Sequence, residues 1–200
     1  MDERNGSFRP LGWKEIKPWF LWSLALFALA YMGGRILVNT IGKEEVLKFL
    51  NWFRGSAGIS KDNTALENLR LYFLGNGKMV FVTMILGLIP FLCISGLSML
   101  INGCFFGGLY QAMAVMGSYT LWTYTLHVAP HGLIELVGLA YMVAVSMKTS
   151  WLLGQKIRKK SALSVKKILL RHLASFLLVA IPIIAVGAVV EAYITPLLVQ

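Results

Sequence analysis

Four ionisable side chains in the apolar stretches of this sequence are candidates for chemistry or binding. They are Arg35, His131, Glu135 and Glu191. His131 and Glu135 are four residues apart, so a helix would place them on one face. A charged side chain in a hydrocarbon layer costs about 3 kcal/mol, and pairing with other polar groups lowers that cost. We therefore predict that the four side chains converge in one polar cluster in the outer half of a membrane-embedded bundle.

The spacing of these residues does not match an established catalytic motif. A catalytic zinc site takes about three His, Glu or Asp ligands. The sequence HGLIE supplies two of them and Glu191 at most a third. This spacing differs from the HExxH of zinc proteases, and neither a P-loop nor GxGxxG spacing occurs. We expect no metal, no cofactor and no enzymatic activity, with an intramembrane hydrolase as a less favoured alternative.

The composition indicates that the elements positioning these residues are transmembrane helices. The 200 residues are 57% hydrophobic and only 14% charged, with a mean hydropathy of +0.68, whereas a soluble domain has about 25% charged residues. Glu135 is the one Asp, Glu, Lys or Arg between Met79 and Met147. The composition excludes disorder, a secreted disulfide scaffold and a nucleic-acid-binding domain as main interpretations. The predicted fold is an all-α polytopic membrane helix bundle.

We predict about five transmembrane helices in a single domain, residues 18–200, after a polar head, residues 1–17. The predicted spans are approximately 18–38, 79–100, 102–117, 130–147 and 173–195. Proline at position 90 should kink the second span, Pro130 should begin the fourth, and Pro182 should bend the fifth. Whether residues 117–129 span the membrane, re-enter it or lie at the interface stays open.

Two connections between the spans have distinct compositions. Residues 39–78 are expected to form an extracytoplasmic loop, in which the stretch EEVLKFLNWF and a second stretch around Ala65–Leu74 predict amphipathic helices at the membrane interface. Residues 148–171 are basic and contain no acid, which predicts a cytoplasmic connection. Five crossings then place the N-terminus in the cytoplasm and the C-terminus outside. A cleaved signal peptide is disfavoured, because the head contains three acids.

Four short strings, taken together, resemble a known family. They are Asn68-Leu69-Arg70, INGCFFGG at 101–108, PHGLIEL at 130–136 and EAYITP at 191–196. Their order and spacing are similar to those of the stage II sporulation protein M family. The resemblance marks Asn102, Gly103, Pro130, His131, Gly132, Glu135, Glu191 and Pro196. Independently of it, Gly103 and Gly107 are four apart, a spacing that allows close helix packing.

The resemblance implies an all-helical bacterial membrane protein without established catalytic chemistry. In the sporulation branch such proteins act with peptidoglycan-degrading partners during engulfment, as their membrane anchor. Other relatives accompany transporter genes or genes for circular-bacteriocin production and immunity. The residues do not decide between these branches.

Two functions are therefore expected. The first is a non-enzymatic scaffold or accessory protein that anchors partners of cell-envelope remodelling or peptide export, using small-residue faces and loop 39–78. The second is a component of a transport or immunity system that binds a peptide or lipid-like substrate at the polar cluster. The expected partners are membrane lipids, other membrane or envelope proteins and a second copy of the chain, but not nucleic acid.

Overall fold

The computed structural model describes residues 8–56, 63–117 and 121–198, and within these ranges it contains helices and no strand. Part of the predicted polar head, residues 1–7, lies outside the described residues. The helices are α1 (Trp13–Thr40), α2 (Lys43–Ser56), α3 (Ala65–Leu86), α4 (Gly96–Val115), α5 (Leu121–Ile157) and α6 (Val165–Leu198). The prediction of an all-α membrane bundle is confirmed.

Four helices in the described part of the chain are long and apolar enough to cross a membrane. They are Trp13–Thr40, Ala65–Leu86, Val128–Ile157 and Val165–Leu198. The sequence predicted about five, and the missing one corresponds to α4. This helix has 20 residues, so it is about 30 Å long. It contains Asn102 and Gln111, whose amides lower its apolar character.

Contacts between the helices give their relative directions. Helices α1 and α4 are parallel, because Gly103 faces Phe27 and Gly107 faces Tyr31. Helices α3 and α5 are also parallel, since Asn76 contacts Glu135 and, further along both helices, Thr83 contacts Ser146.

The remaining long helix, α6, runs antiparallel to α5. Thr149 of α5 contacts His172 near the start of α6, whereas His131 contacts Glu191 near its end. Since α3 and α5 point the same way, α4 must carry the chain back along the bundle between them. We call the end near α2 the α2 side, and the end with connection 158–164 the basic side.

Glycines bring α1 and α4 into direct backbone contact. A Cβ atom at Gly107 would overlap the Tyr31 carbonyl, and one at Gly34 would overlap the Cys104 carbonyl. A Cβ at Gly103 would clash with Phe27 and Ala30. The two helices can approach this closely only without side chains at these positions. The small-residue face is thus used within the chain.

The predicted kink at Pro90 is wrong, because α3 ends before this residue. The helix stops at Leu86, and residues 87–95 form a turn in which Phe91 and Cys93 have left-handed backbone conformations, with φ of 68° and 46°. Ser150 of α5 holds the turn by donating to the Ile89 carbonyl at 2.5 Å. Residues 96–100, assigned to the second span, begin α4 instead.

Pro130 does not begin a helix, contrary to the prediction. It lies inside α5, which starts nine residues earlier at Leu121. Residues 121–129, whose conformation the sequence left open, therefore extend this helix. A proline inside a membrane helix is tolerated where neighbouring elements compensate for the missing donor.

The last helix begins earlier than predicted and carries part of the basic segment. Ser164 caps α6 by accepting from the Lys167 backbone N–H at 3.2 Å. Lys166, Lys167 and Arg171 consequently lie on the helix, and only residues 158–164 connect α5 to α6.

Wide π-helical turns in α6 accommodate its two prolines. One spans Phe176–Ala180 and the other Val190–Ile194. A proline ring clashes with the carbonyl four residues earlier in a regular α-helix. For Pro182 and Pro196 these carbonyls fall within the π-helical turns, where the backbone is wider. The bend at Pro182 stays a prediction, and the structure places a π-helical turn just before this residue.

The amphipathic stretch EEVLKFLNWF lies within α2, which packs across one end of the bundle. Val46 is buried against Val38 of α1 and Ala112 of α4. The Phe49 ring lies 6.2 Å from that of Phe105. The second amphipathic stretch is the first part of α3 rather than a separate interfacial helix.

Candidate functional site

Helices α3, α5 and α6 bring five polar side chains together towards the α2 side of the bundle. They are Asn76, His131, Glu135, Glu191 and Thr195, which we call the polar cluster. The Asn76 amide donates a hydrogen bond to Oε1 of Glu135. The His131 ring binds across to α6, with Nδ1 3.2 Å from Thr195 Oγ1 and Nε2 3.6 Å from Glu191 Oε1.

Most of this cluster is shielded from the surroundings of the protein. The side chains of His131 and Glu191 are only 12% and 18% exposed, and the Glu135 carboxyl is close enough to that of Glu191 to interact electrostatically. Gly187 of α6 makes this approach possible, because a Cβ there would lie 2.7 Å from Cγ of Glu135. The π-helical turn that contains Glu191 interrupts the regular helix at the cluster, a feature frequent at functional sites.

A cavity of about 220 Å³ adjoins the polar cluster and is lined by residues of helices α1, α3, α4, α5 and α6. Glu135, Asn76 and Asn102 contribute polar groups to its wall. Aromatic rings line the side formed by α1 and α4, namely those of Phe27, Tyr31 and Phe106. The cavity therefore combines a carboxyl group, amides and aromatic faces in an otherwise apolar bundle.

The structure does not bring Arg35 into the polar cluster, contrary to the prediction. Its Nε donates to Oε1 of Gln111 at 3.3 Å, and its guanidinium lies 4.9 Å from the centre of the Tyr110 ring. Gln111 in turn donates to Asn39 at 2.8 Å. The reason is the close contact of α1 with α4, which directs Arg35 towards α4. The sequence indicates how far along its helix Arg35 lies, but it does not indicate towards which neighbouring helix the side chain points.

The remaining candidate residues from the sequence lie in different parts of the bundle. Gly132 and Asn102 line the cavity, and the Asn102 amide donates to the Ser98 carbonyl of its own helix at 3.0 Å. Gly103 and Gly107 contact the α1 backbone. Pro130 lies on α5 and Pro196 near the end of α6, both close in sequence to residues of the polar cluster.

Comparison with known proteins assigns the chain to a family. The family model of stage II sporulation protein M matches residues 23–196, a range that includes part of every long helix and the whole polar cluster. The chain belongs to this family. The resemblance inferred from four short strings is thereby confirmed, and the match extends it to most of α1. No curated protein and no solved structure matches the chain.

This member of the stage II sporulation protein M family has a second polar region, towards the basic side, that the sequence did not reveal. His172 is buried and joins three helices: Nε2 donates to the Met84 carbonyl at 3.0 Å, and Nδ1 lies 3.0 Å from Thr149 Oγ1. Arg171 makes a two-pronged ion pair with Glu15 at the start of α1. Leu11 N–H donates to Ser175 Oγ at 3.0 Å.

One pattern in the sequence could have located this second polar region. Ser146, Thr149 and Ser150 recur at helical spacing on α5, where they share a face. Ser146 donates to the Thr83 carbonyl at 3.0 Å, so this face binds the end of α3. We treat the region as structural, because its polar groups are mostly paired with one another.

The polar cluster has no arrangement typical of a metal site. Among the described residues, no group of three His, Cys, Asp or Glu side chains is placed to hold a metal ion. The chemistry that the arrangement can perform is hydrogen bonding and charge pairing with a group that enters the cavity.

Proposed function

We propose that the protein is a non-enzymatic scaffold or accessory protein that anchors partner proteins in the bacterial cytoplasmic membrane. The observation that carries this proposal is the placement of α2. Its apolar face packs on the ends of α1 and α4 through Val46, which fixes the helix relative to the bundle. Its charged face then forms a surface beyond the spanning helices, as a docking platform requires.

The charged face of α2 is exposed and ordered by its own ion pairs. Lys48 Nζ lies 3.1 Å from Oε1 of Glu44 and 2.8 Å from Oε1 of Glu45, and these side chains are between 61% and 82% exposed. Exposed pairs of this kind contribute little to stability. Their charges are therefore available for a partner, in cell-envelope remodelling or peptide export, without a large cost to the fold.

We further propose five crossings, with the N-terminus and connection 158–164 in the cytoplasm and α2 and the C-terminus outside. The parallel directions of α3 and α5 support a crossing by α4. The basic residues around 158–164 support a cytoplasmic location of this connection. Lys160→Cys and Lys43→Cys, in a background without Cys93 and Cys104, test this with a membrane-impermeant thiol reagent. In intact cells only Lys43→Cys should react, and labelling of Lys160→Cys would contradict the topology.

Charge reversal on α2 tests the scaffold function. The double change Glu44→Lys and Glu45→Lys should abolish recovery of partners after crosslinking and mild-detergent purification, while membrane insertion stays normal. Lys166→Glu and Lys167→Glu, on the opposite side of the bundle, provide a matched control that should retain these partners. Equal recovery with both double variants would contradict docking on α2.

The cavity beside Glu135 favours a second candidate function, a membrane component that binds a peptide or lipid-like substrate. A scaffold needs no internal cavity, whereas a binding component does. Glu135→Gln separates the two functions. It should leave partner recovery unchanged in a scaffold, and should abolish substrate-dependent export or immunity in a binding component without loss of insertion.

Apolar side chains on the outer face of α1 supply the surface for the proposed lipid contacts. Trp22, Leu29 and Ile36 are between 61% and 71% exposed, as expected of side chains that face hydrocarbon rather than the bundle. Self-association is a separate expectation, which light scattering of the purified protein in detergent would test.

A further inference from the structure

We infer that the cavity beside Glu135 binds a primary alkylammonium group. The ammonium would lie between the Glu135 carboxyl and the aromatic wall, and the alkyl stem would follow the apolar lining. This inference rests on the second candidate function and specifies the chemical class of its substrate.

The first argument is the hydrogen-bonding capacity that remains on the Glu135 carboxyl. Asn76 donates to Oε1, and among the described residues no further donor to this carboxyl is present. Since Glu135 lines the cavity, a donor that enters the cavity can reach the group. An alkylammonium provides three N–H donors together with a positive charge.

The second argument is the absence of a protein cation from this wall. Arg35, the nearest candidate from the sequence, is bound to Gln111 and Tyr110 instead. The described residues that line the cavity include no Lys or Arg. The structure thus holds a carboxyl group at the cavity without the positive partner that the sequence suggested.

The third argument is the aromatic wall formed by Phe27, Tyr31 and Phe106. The Phe27 ring centre lies 6.3 Å from each of the other two ring centres. Ring faces attract ammonium groups, and several rings around one site are a recurring way of binding them. A carboxyl group and a cluster of rings on different walls of one cavity are therefore suited to an ammonium rather than to an anion.

The cavity volume indicates how much of the apolar stem lies inside the bundle. A cavity of about 220 Å³ corresponds to about seven water molecules at about 30 Å³ each. A stem of about six carbons with an amine matches this volume. The lysine side chain of a peptide and the amine end of a small amphipathic lipid share this chemistry.

Titration of the purified full chain in lipid nanodiscs with n-hexylammonium tests the inference. Isothermal titration calorimetry should give a lower Kd for n-hexylammonium than for n-hexanol or n-hexanoate. Glu135→Gln should weaken n-hexylammonium binding about tenfold, as expected for loss of one charged partner, and should change n-hexanol binding little. Glu44→Gln makes the same chemical change on the exposed face of α2 and should not alter either Kd.

A second variant keeps the test decisive if Glu135→Gln does not fold. Phe106→Leu retains an apolar wall but removes one ring, so it should weaken n-hexylammonium more than n-hexanol. The inference is overturned if the wild type binds the amine and the alcohol equally, or if neither variant changes their ratio.

Competition then distinguishes the two sources of the amine. A lysine-containing peptide that displaces n-hexylammonium, while its norleucine analogue does not, identifies a peptide side chain. Displacement by sphingosine alone identifies a lipid amine. Amine binding is measured on the purified protein, and the second candidate function is measured as substrate-dependent export or immunity in cells, so the failure of one is distinguished from the failure of the other.

Discussion

In two regions of this bundle, different kinds of contact join the helices. Helices α1 and α4 meet at glycines, so that their backbones touch, and the polar contacts of Arg35 and Asn39 with Gln111 lie towards the α2 side of this interface. Helices α3, α5 and α6 share an apolar core and are in addition joined by polar side chains, including His172, Thr149 and the polar cluster. In a membrane, apolar burial between helices contributes little, so close packing and interhelical hydrogen bonds remain as the forces available.

The difference between the two regions has a consequence for function. Close backbone contact leaves no room for a ligand between α1 and α4. At the polar cluster, in contrast, longer side chains separate the helices, and a cavity adjoins them. The glycine contact is therefore suited to holding the bundle together, and the polar region to receiving a ligand.

The largest expected effect breaks the glycine contact. Gly107→Leu places a side chain where the Tyr31 carbonyl lies, and overpacking of this kind costs about 3 kcal/mol or more. We expect no monodisperse protein on size exclusion in mild detergent. Gly75→Leu is the matched control, because nothing lies within 4 Å of a Cβ there. Normal behaviour of Gly107→Leu would show that backbone contact does not hold the two helices.

A smaller loss is expected from removing a partly buried ion pair at the basic side. Arg171→Leu leaves Glu15 unpaired, and we expect a loss of about 2–3 kcal/mol in the free energy of unfolding, below the range for fully buried pairs. The Glu15 side chain is 39% exposed, so water partly replaces the lost partner. Denaturation in a titration of sodium dodecyl sulfate measures this. Lys167→Leu, one turn earlier and exposed, should change stability by less than about 0.5 kcal/mol.

The next prediction concerns the histidine that joins three helices. His172→Phe keeps an aromatic ring but leaves the Met84 carbonyl and the Thr149 hydroxyl without this partner. Buried groups left unpaired cost about 1–3 kcal/mol, so we expect a loss of about 2 kcal/mol in the same titration. His172→Gln retains a donor and an acceptor and should lose less. Equal losses for both variants would assign the effect to shape rather than hydrogen bonding.

The smallest expected effect is that of a single hydroxyl pair. Thr83 Oγ1 donates to Ser98 Oγ at 2.7 Å, between α3 and α4. A double-mutant cycle of Thr83→Val and Ser98→Ala should give a coupling of about 0.6 kcal/mol, the average for hydrogen bonds between membrane helices. A coupling above about 2 kcal/mol would mean that single polar contacts rival the glycine contact.

Sequence reasoning located helices better than it located their ends. The apolar tract without charges predicted membrane helices, and the family was inferred from four short strings. The ends were misplaced at Pro90 and Pro130, because a proline breaks one helix and is accommodated in another according to its neighbours. Ser150 stabilises the turn around Pro90 from a distance of 60 residues in sequence, which local patterns do not contain.

The sequence by itself determined that this protein is a helical membrane protein, since so few charged residues leave no surface suited to water. It also determined which side chains are costly in a membrane and therefore need partners. Only the tertiary structure decided which partners they have: Arg35 is directed to Gln111, and Glu135 to Asn76. The physical reason is that the glycine contact between α1 and α4 sets the rotation of α1, and a rotation follows from packing between helices rather than from spacing within one.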